Sequence, residues 1–76
     1  MLNTKVLIDT VEKVKEFSAI LSKEEVDCEL IQGIHILDAK SIMGIFTLDI
    51  KNPIELHVHS DDQSILNKIE SFIYQD

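Results

Sequence analysis

The chain has 76 residues, enough for one hydrophobic core and no second. Fourteen acidic side chains against seven basic ones, all lysine, give a net charge of −7. That balance excludes a sequence-independent grip on nucleic acid, docking on an anionic membrane surface and any arginine-based phosphate clamp. The lone Cys28 has no partner for an intramolecular disulfide. A small domain without bridges points to a reducing compartment. The first residues lack a signal-peptide apolar core, and no apolar run approaches the roughly 18 residues of a membrane span. A soluble, cytoplasmic protein is expected, folded as a single domain over 1–76.

In chain order, Val6, Leu7 and Ile8 predict a first strand. Asp9 with Glu12 has the spacing of a capping box. Val11, Val14, Phe17, Ile20 and Leu21 follow at helical spacing, predicting a first helix over 10–22. Val26, Cys28 and Leu30 alternate with Asp27 and Glu29, the pattern of a half-buried strand. A turn at Gln32-Gly33 leads into a third strand from Ile34 to Ala39, making a hairpin. Ser41 to Thr47 predicts a short helix capped by Ser41, and Asn52-Pro53 breaks the chain. Ile54, Leu56 and Val58 alternate with Glu55, His57 and His59, a fourth strand. Ser60 with Gln63 repeats the capping pattern, and Ile65, Leu66, Ile69, Phe72 and Ile73 mark an amphipathic last helix.

The order β-α-β-β-α-β-α predicts an α+β fold: a four-stranded antiparallel sheet with three helices on one face. The residues expected to face the helices are Val6, Ile8, Cys28, Leu30, Leu37, Ala39, Ile54, Leu56 and Val58. The opposite face would hold Leu7, Glu29, Ile31, Ile36, Glu55, His57 and His59, with Ile34 near the turn. That is more aliphatic than an open sheet face usually is. It predicts a homodimer or a partner packed on the sheet. A one-residue slip in strand three would instead turn Ile34 and Ile36 inward.

The segment Asp38-Ala39-Lys40-Ser41-Ile42-Met43-Gly44-Ile45-Phe46-Thr47-Leu48 resembles the second signature of the HPr family, the small phosphocarriers of the bacterial phosphoenolpyruvate:sugar phosphotransferase system. The resemblance covers residues 10–76, with Phe17 on the usual aromatic of helix one. It implies the family's open-faced β-sandwich. At the first signature the chain departs from the family. Aligned without gaps, Thr10 stands where the phosphorylated histidine belongs, Glu12 at its arginine and Lys13 at its proline. The loop before helix one is also shorter. A phosphoryl relay needs an imidazole-like nucleophile and cationic help, and Thr10 with Glu12 offers neither. The expectation is an HPr-like protein without carrier chemistry, not an enzyme, acting as a regulatory or protein-binding module.

Ser41 matches the serine that a dedicated kinase phosphorylates in low-GC Gram-positive members, whose product is a corepressor for catabolite control. Two readings stand. Ser41 is an N-cap and nothing more, or it is also a regulatory phosphorylation site, with HPr kinase or a catabolite regulator as partner. Lys40, next to it, would be placed to help hold the phosphate. In the family, the residues matching Ile42, Met43 and Phe46 form an exposed docking patch; the alternative is that all three pack inward, and Met43 is the one expected to be exposed.

Other groups point to little chemistry. His57 and His59 share a strand face, but two imidazoles leave a metal site incomplete. His35 stands alone in strand three, and Cys28 reads as a small buried hydrophobe. Glu24-Glu25 and Asp61-Asp62 sit at turns or helix starts. No cofactor and no metal is expected. The competing readings are a small-molecule- or metal-binding regulatory domain, and an assembly module, on the same fold.

Overall fold

The computed structural model describes residues 1–75. Strands β1 (Leu2–Val6), β2 (Cys28–Gln32), β3 (His35–Asp38) and β4 (Ile54–Val58) form one sheet in the order β1-β4-β2-β3, every pair antiparallel. Helices α1 (Val11–Ser22), α2 (Ile42–Ile45) and α3 (Gln63–Lys68), with a 3₁₀ turn at Glu70–Phe72, cover one face. The expected antiparallel α+β arrangement is what the chain adopts.

The register explains the core. Leu2, Thr4 and Val6 oppose Val58, Leu56 and Ile54 in turn, and Cys28 and Leu30 oppose Val58 and Leu56. Opposed residues in an antiparallel pair share a face. These rows therefore meet Val14, Phe17 and Leu21 of α1, Ile45 of α2, and Ile65, Ile69 and Phe72 from the C-terminal region. Phe17 and Phe72 pack edge to face, ring centres 5.9 Å apart. Of the nine residues expected to face inward, eight are buried. Leu37 is half-buried, because β3 is an edge strand and α2, which packs on it, is only four residues long.

Several boundaries differ from the sequence reading. β1 covers Leu2–Val6, not Val6–Ile8. Its polar residues Asn3 and Lys5 lie on the outer face, so alternation is present but weakly apolar. Ile8 is nevertheless fully buried beyond the strand end. The cap of α1 is Thr10, whose hydroxyl accepts the Lys13 N–H at 3.1 Å, while Asp9 holds the Lys13 ammonium at 3.0 Å. The cap of α3 is Asp62, not Ser60. Ser60 instead accepts the Asp62 N–H, one step earlier in the same turn.

The hairpin loop is Gly33-Ile34, with Gly33 at φ +60°. Glycine at the first central position of a two-residue loop is the type II′ arrangement, which matches strand twist. Ile34 is thus in the loop rather than in β3. The last helix ends at Lys68, and a 3₁₀ turn takes the chain to Phe72. The residues after it run beside β1: Leu7 donates to the Phe72 carbonyl and Tyr74 to the Lys5 carbonyl, both at 2.8 Å. That segment closes one edge of the sheet.

Candidate functional site

The start of α1 at Thr10, and Ser41 with the short helix after it, are the regions the sequence singled out. Ser41 is the N-cap of α2; its Oγ accepts the Gly44 N–H at 3.1 Å. Gly44 leaves the space over that hydroxyl open. A Cβ there would lie 3.2 Å from Ser41 Oγ.

The backbone entering Ser41 is held from several sides. Ser41 N–H donates to the Asp38 carbonyl at 3.0 Å, and Lys40 N–H to the Asp38 carboxylate at 2.9 Å. Ser18 Oγ donates to the Lys40 carbonyl at 2.8 Å from within α1. The Lys40 ammonium donates to the Glu24 carbonyl at 2.7 Å, beyond the end of α1. Lys40 therefore fastens the end of α1 to the Ser41 turn, its ammonium bonded to the Glu24 carbonyl. On the far side of α2, Gln32 and Asp49 exchange two hydrogen bonds at 2.9 Å, side chain to backbone in both directions. Ser18 and Asp49 were not singled out from the sequence, Gln32 was read only as a turn residue and Lys40 as a phosphate neighbour, since the partners that define their roles are 16 or more residues away.

α2 and its C-cap Phe46 present one apolar side chain to the core and three to solvent. Ile45 is fully buried, whereas Ile42, Met43 and Phe46 are 38%, 82% and 41% exposed. A four-residue helix has one inward position, and Ile45 takes it. The exposed trio is a small apolar surface beside Ser41.

Thr10 lies at the exposed start of α1. Its hydroxyl is spent on the cap, and Glu12 adds a negative charge to the first turn. His35, His57 and His59 belong to β3, β4 and the residue after it, not to α1 or the loop before it. His57 and His59 lie on the outer face, where His57 Nε2 is 2.5 Å from Glu55 and His59 Nε2 2.6 Å from Glu29. His35 is exposed on β3. Among the described residues, no group of three His, Cys, Asp or Glu side chains is placed to hold a metal ion. Cys28 is buried, and desolvation raises the pKa of its thiol. Among the described residues, no helix is long and apolar enough to cross a membrane.

The outer sheet face is charged at its centre. Lys5, Glu55, His57 and Glu29 lie on neighbouring strands in register, and Ile31 and Ile36 oppose each other at the hairpin end. The half-buried Leu7 lies past β1, beside Phe72, so it does not extend the aliphatic group at the hairpin. Ile36 does face outward, as expected, and Ile34 sits in the loop.

Solved structures share this arrangement over nearly its whole length. HPr-C-His from Thermoanaerobacter tengcongensis superposes with a TM-score of 0.79 at 20% identity, covering 93% of this chain and 89% of that one. This chain has an HPr-like fold. The phosphocarrier protein HPr from Bacillus anthracis str. Ames superposes with a TM-score of 0.74, also at 20% identity, over 96% of each chain. No protein-family model and no curated protein matches the sequence. The HPr-like fold places β1, then α1, then the β2–β3 hairpin and α2 in the order the sequence resemblance implied. Thr10 thus heads α1 and Ser41 heads α2.

Proposed function

We propose that this chain is a divergent HPr-family protein of the phosphotransferase system that has lost carrier chemistry and works by binding other proteins in the cytoplasm. The single observation behind it is the start of α1 in an HPr-like fold. There the hydroxyl of Thr10 is committed to the helix cap and its neighbours are Asp9 and Glu12. A carboxylate at that position repels phosphate oxygens instead of stabilising them. The chain is then not an enzyme and not a relay.

The binding surface in this reading is the apolar trio Ile42, Met43 and Phe46. A flexible thioether at the most exposed of these positions suits adaptable recognition. Ser41 is the regulatory position beside it. Phosphorylation there would place two negative charges against the apolar patch and the cap N–H of Gly44. HPr kinase is the writer of that mark, and a catabolite regulator its reader.

Incubation with enzyme I and phosphoenolpyruvate, and separately with HPr kinase and ATP, tests the proposal by intact-mass spectrometry. The expected result is no phosphohistidine with enzyme I and one phosphate with the kinase, absent from Ser41→Ala. A stable phosphohistidine overturns the loss of carrier chemistry. Failure of the kinase to modify Ser41 reduces Ser41 to a cap. Binding through α2 is then read from Met43→Asp, expected to weaken capture of a catabolite regulator at least tenfold, about 1.4 kcal/mol.

A further inference from the structure

We propose that the free edge of β3, with the cleft beside it, docks an extended segment of a partner protein that carries lysine or arginine. The segment would add to the sheet as a fifth strand.

The backbone supplies the first ground. β3 ends the strand order, so among the described residues no strand lies on its outer side. Ala39 N–H donates to the Cys28 carbonyl at 2.9 Å. By strand alternation, Leu37 and His35 then also direct their backbone groups to β2. The N–H and C=O of Ile36 and the N–H of Asp38 point outward, while the Asp38 carbonyl takes the Ser41 N–H. The opposite edge of the sheet differs: β1 is covered by the segment from Phe72 to Tyr74. One edge is closed and the other is bare.

The side chains supply the second. Ile34 is 93% exposed and Ile36 62%. The stretch 34–38 holds no lysine and no proline, the residues that usually keep an edge from pairing.

Charge selects the occupant. A cleft of about 320 Å³ lies beside this edge, on the outer face where β2 and β3 pair, and Asp27, Glu29 and Asp38 line it together with Ile36 and His59, whose ring holds the Glu29 carboxylate. No lysine lines it. The adjacent Lys40 holds its ammonium on the Glu24 carbonyl. A second copy of this chain would bring a charge of −7 to this one, with no arginine. A basic strand matches the carboxylates, and its aliphatic residues cover Ile34 and Ile36. This surface is separate from the α2 patch, so its test does not depend on that reading.

The test titrates the full chain with a short fluorescein-labelled peptide of alternating valine and arginine, and with its valine–glutamate counterpart. Anisotropy gives affinity, and amide signals by NMR give the place. Binding of the basic peptide alone is expected, with shifts at Ile36 and Asp38. Asp38→Asn and Ile36→Ser should each weaken it about fivefold or more, whereas Glu70→Gln, which removes the same charge elsewhere, should not. Equal loss in all three variants, shifts confined to α2, or no binding overturns the proposal. Sedimentation showing a dimer that Ile36→Ser abolishes also overturns it, and assigns the edge to a second copy.

Discussion

Ser18, inside α1, donates its hydroxyl to the carbonyl of Lys40, the residue before Ser41, at 2.8 Å. Ser18 is 2% exposed, so this is a polar group spent in the core to hold the turn that leads into α2. Its own carbonyl accepts the Ser22 hydroxyl, continuing the polar line along α1. Ser18→Ala removes the donor and leaves the Lys40 carbonyl without it. The expected loss is about 1–2 kcal/mol in urea unfolding. An unchanged midpoint would show that water replaces the serine without cost.

Ser41 and Gly44 are coupled through the cap. Ser41→Ala is expected to cost about 0.5–2 kcal/mol, the usual range for an N-cap. Gly44→Ala gains helix propensity but places its Cβ 3.2 Å from the Ser41 hydroxyl. The two substitutions should therefore be non-additive, with Gly44→Ala more favourable in the Ser41→Ala background. A double-mutant cycle by denaturant unfolding measures this, and strict additivity contradicts it.

Acid should weaken α3 through its cap. Asp62 has its pKa lowered by the hydrogen bonds from Ser64. A carboxylate with a depressed folded pKa contributes stability that is complete above its unfolded pKa, about 3.9, and is lost as pH falls through the folded value. Asp9 follows the same sign through its bond to the Lys13 ammonium. Unfolding midpoints should thus hold from neutrality down to about pH 4 and then drop. Asp62→Asn keeps a cap acceptor but not the charge, so its profile should be flatter below that pH. Parallel profiles for both proteins would exclude Asp62 as a source of the acid loss.

Cys28 should be slow to react. The residue is 2% exposed and burial raises the pKa of its thiol, so little thiolate forms and reagents reach it poorly. Modification by an aromatic disulfide reagent at mild alkaline pH should follow the rate of opening, and become immediate in denaturant. Rapid labelling of the folded chain would contradict this.

The sequence determined the elements whose signal is local. Alternation in Ile54–Val58 and Cys28–Leu30, the helical stripe from Val14 to Leu21, and the serine that caps α2 were all legible, because each rests on neighbours within a turn or a strand pair. Eight of the nine inward residues followed from that periodicity. The segment around Ser41 also carried the resemblance from which the HPr-like fold was expected. Tertiary structure decided the rest. β1 begins at Leu2 because β4 offers partners to Asn3 and Lys5, whose side chains have no apolar pattern of their own. The last helix stops at Lys68 because Ile69 and Phe72 reach the core through a 3₁₀ turn, from which the chain pairs with β1. Thr10 rather than Asp9 caps α1, since Asp9 is taken by the Lys13 ammonium. The role of Lys40 was settled by Glu24, sixteen residues earlier and brought beside it only when α1 packs on the sheet. Contacts of that separation leave no periodic trace, because their partners are chosen by the fold and not by the spacing of the chain.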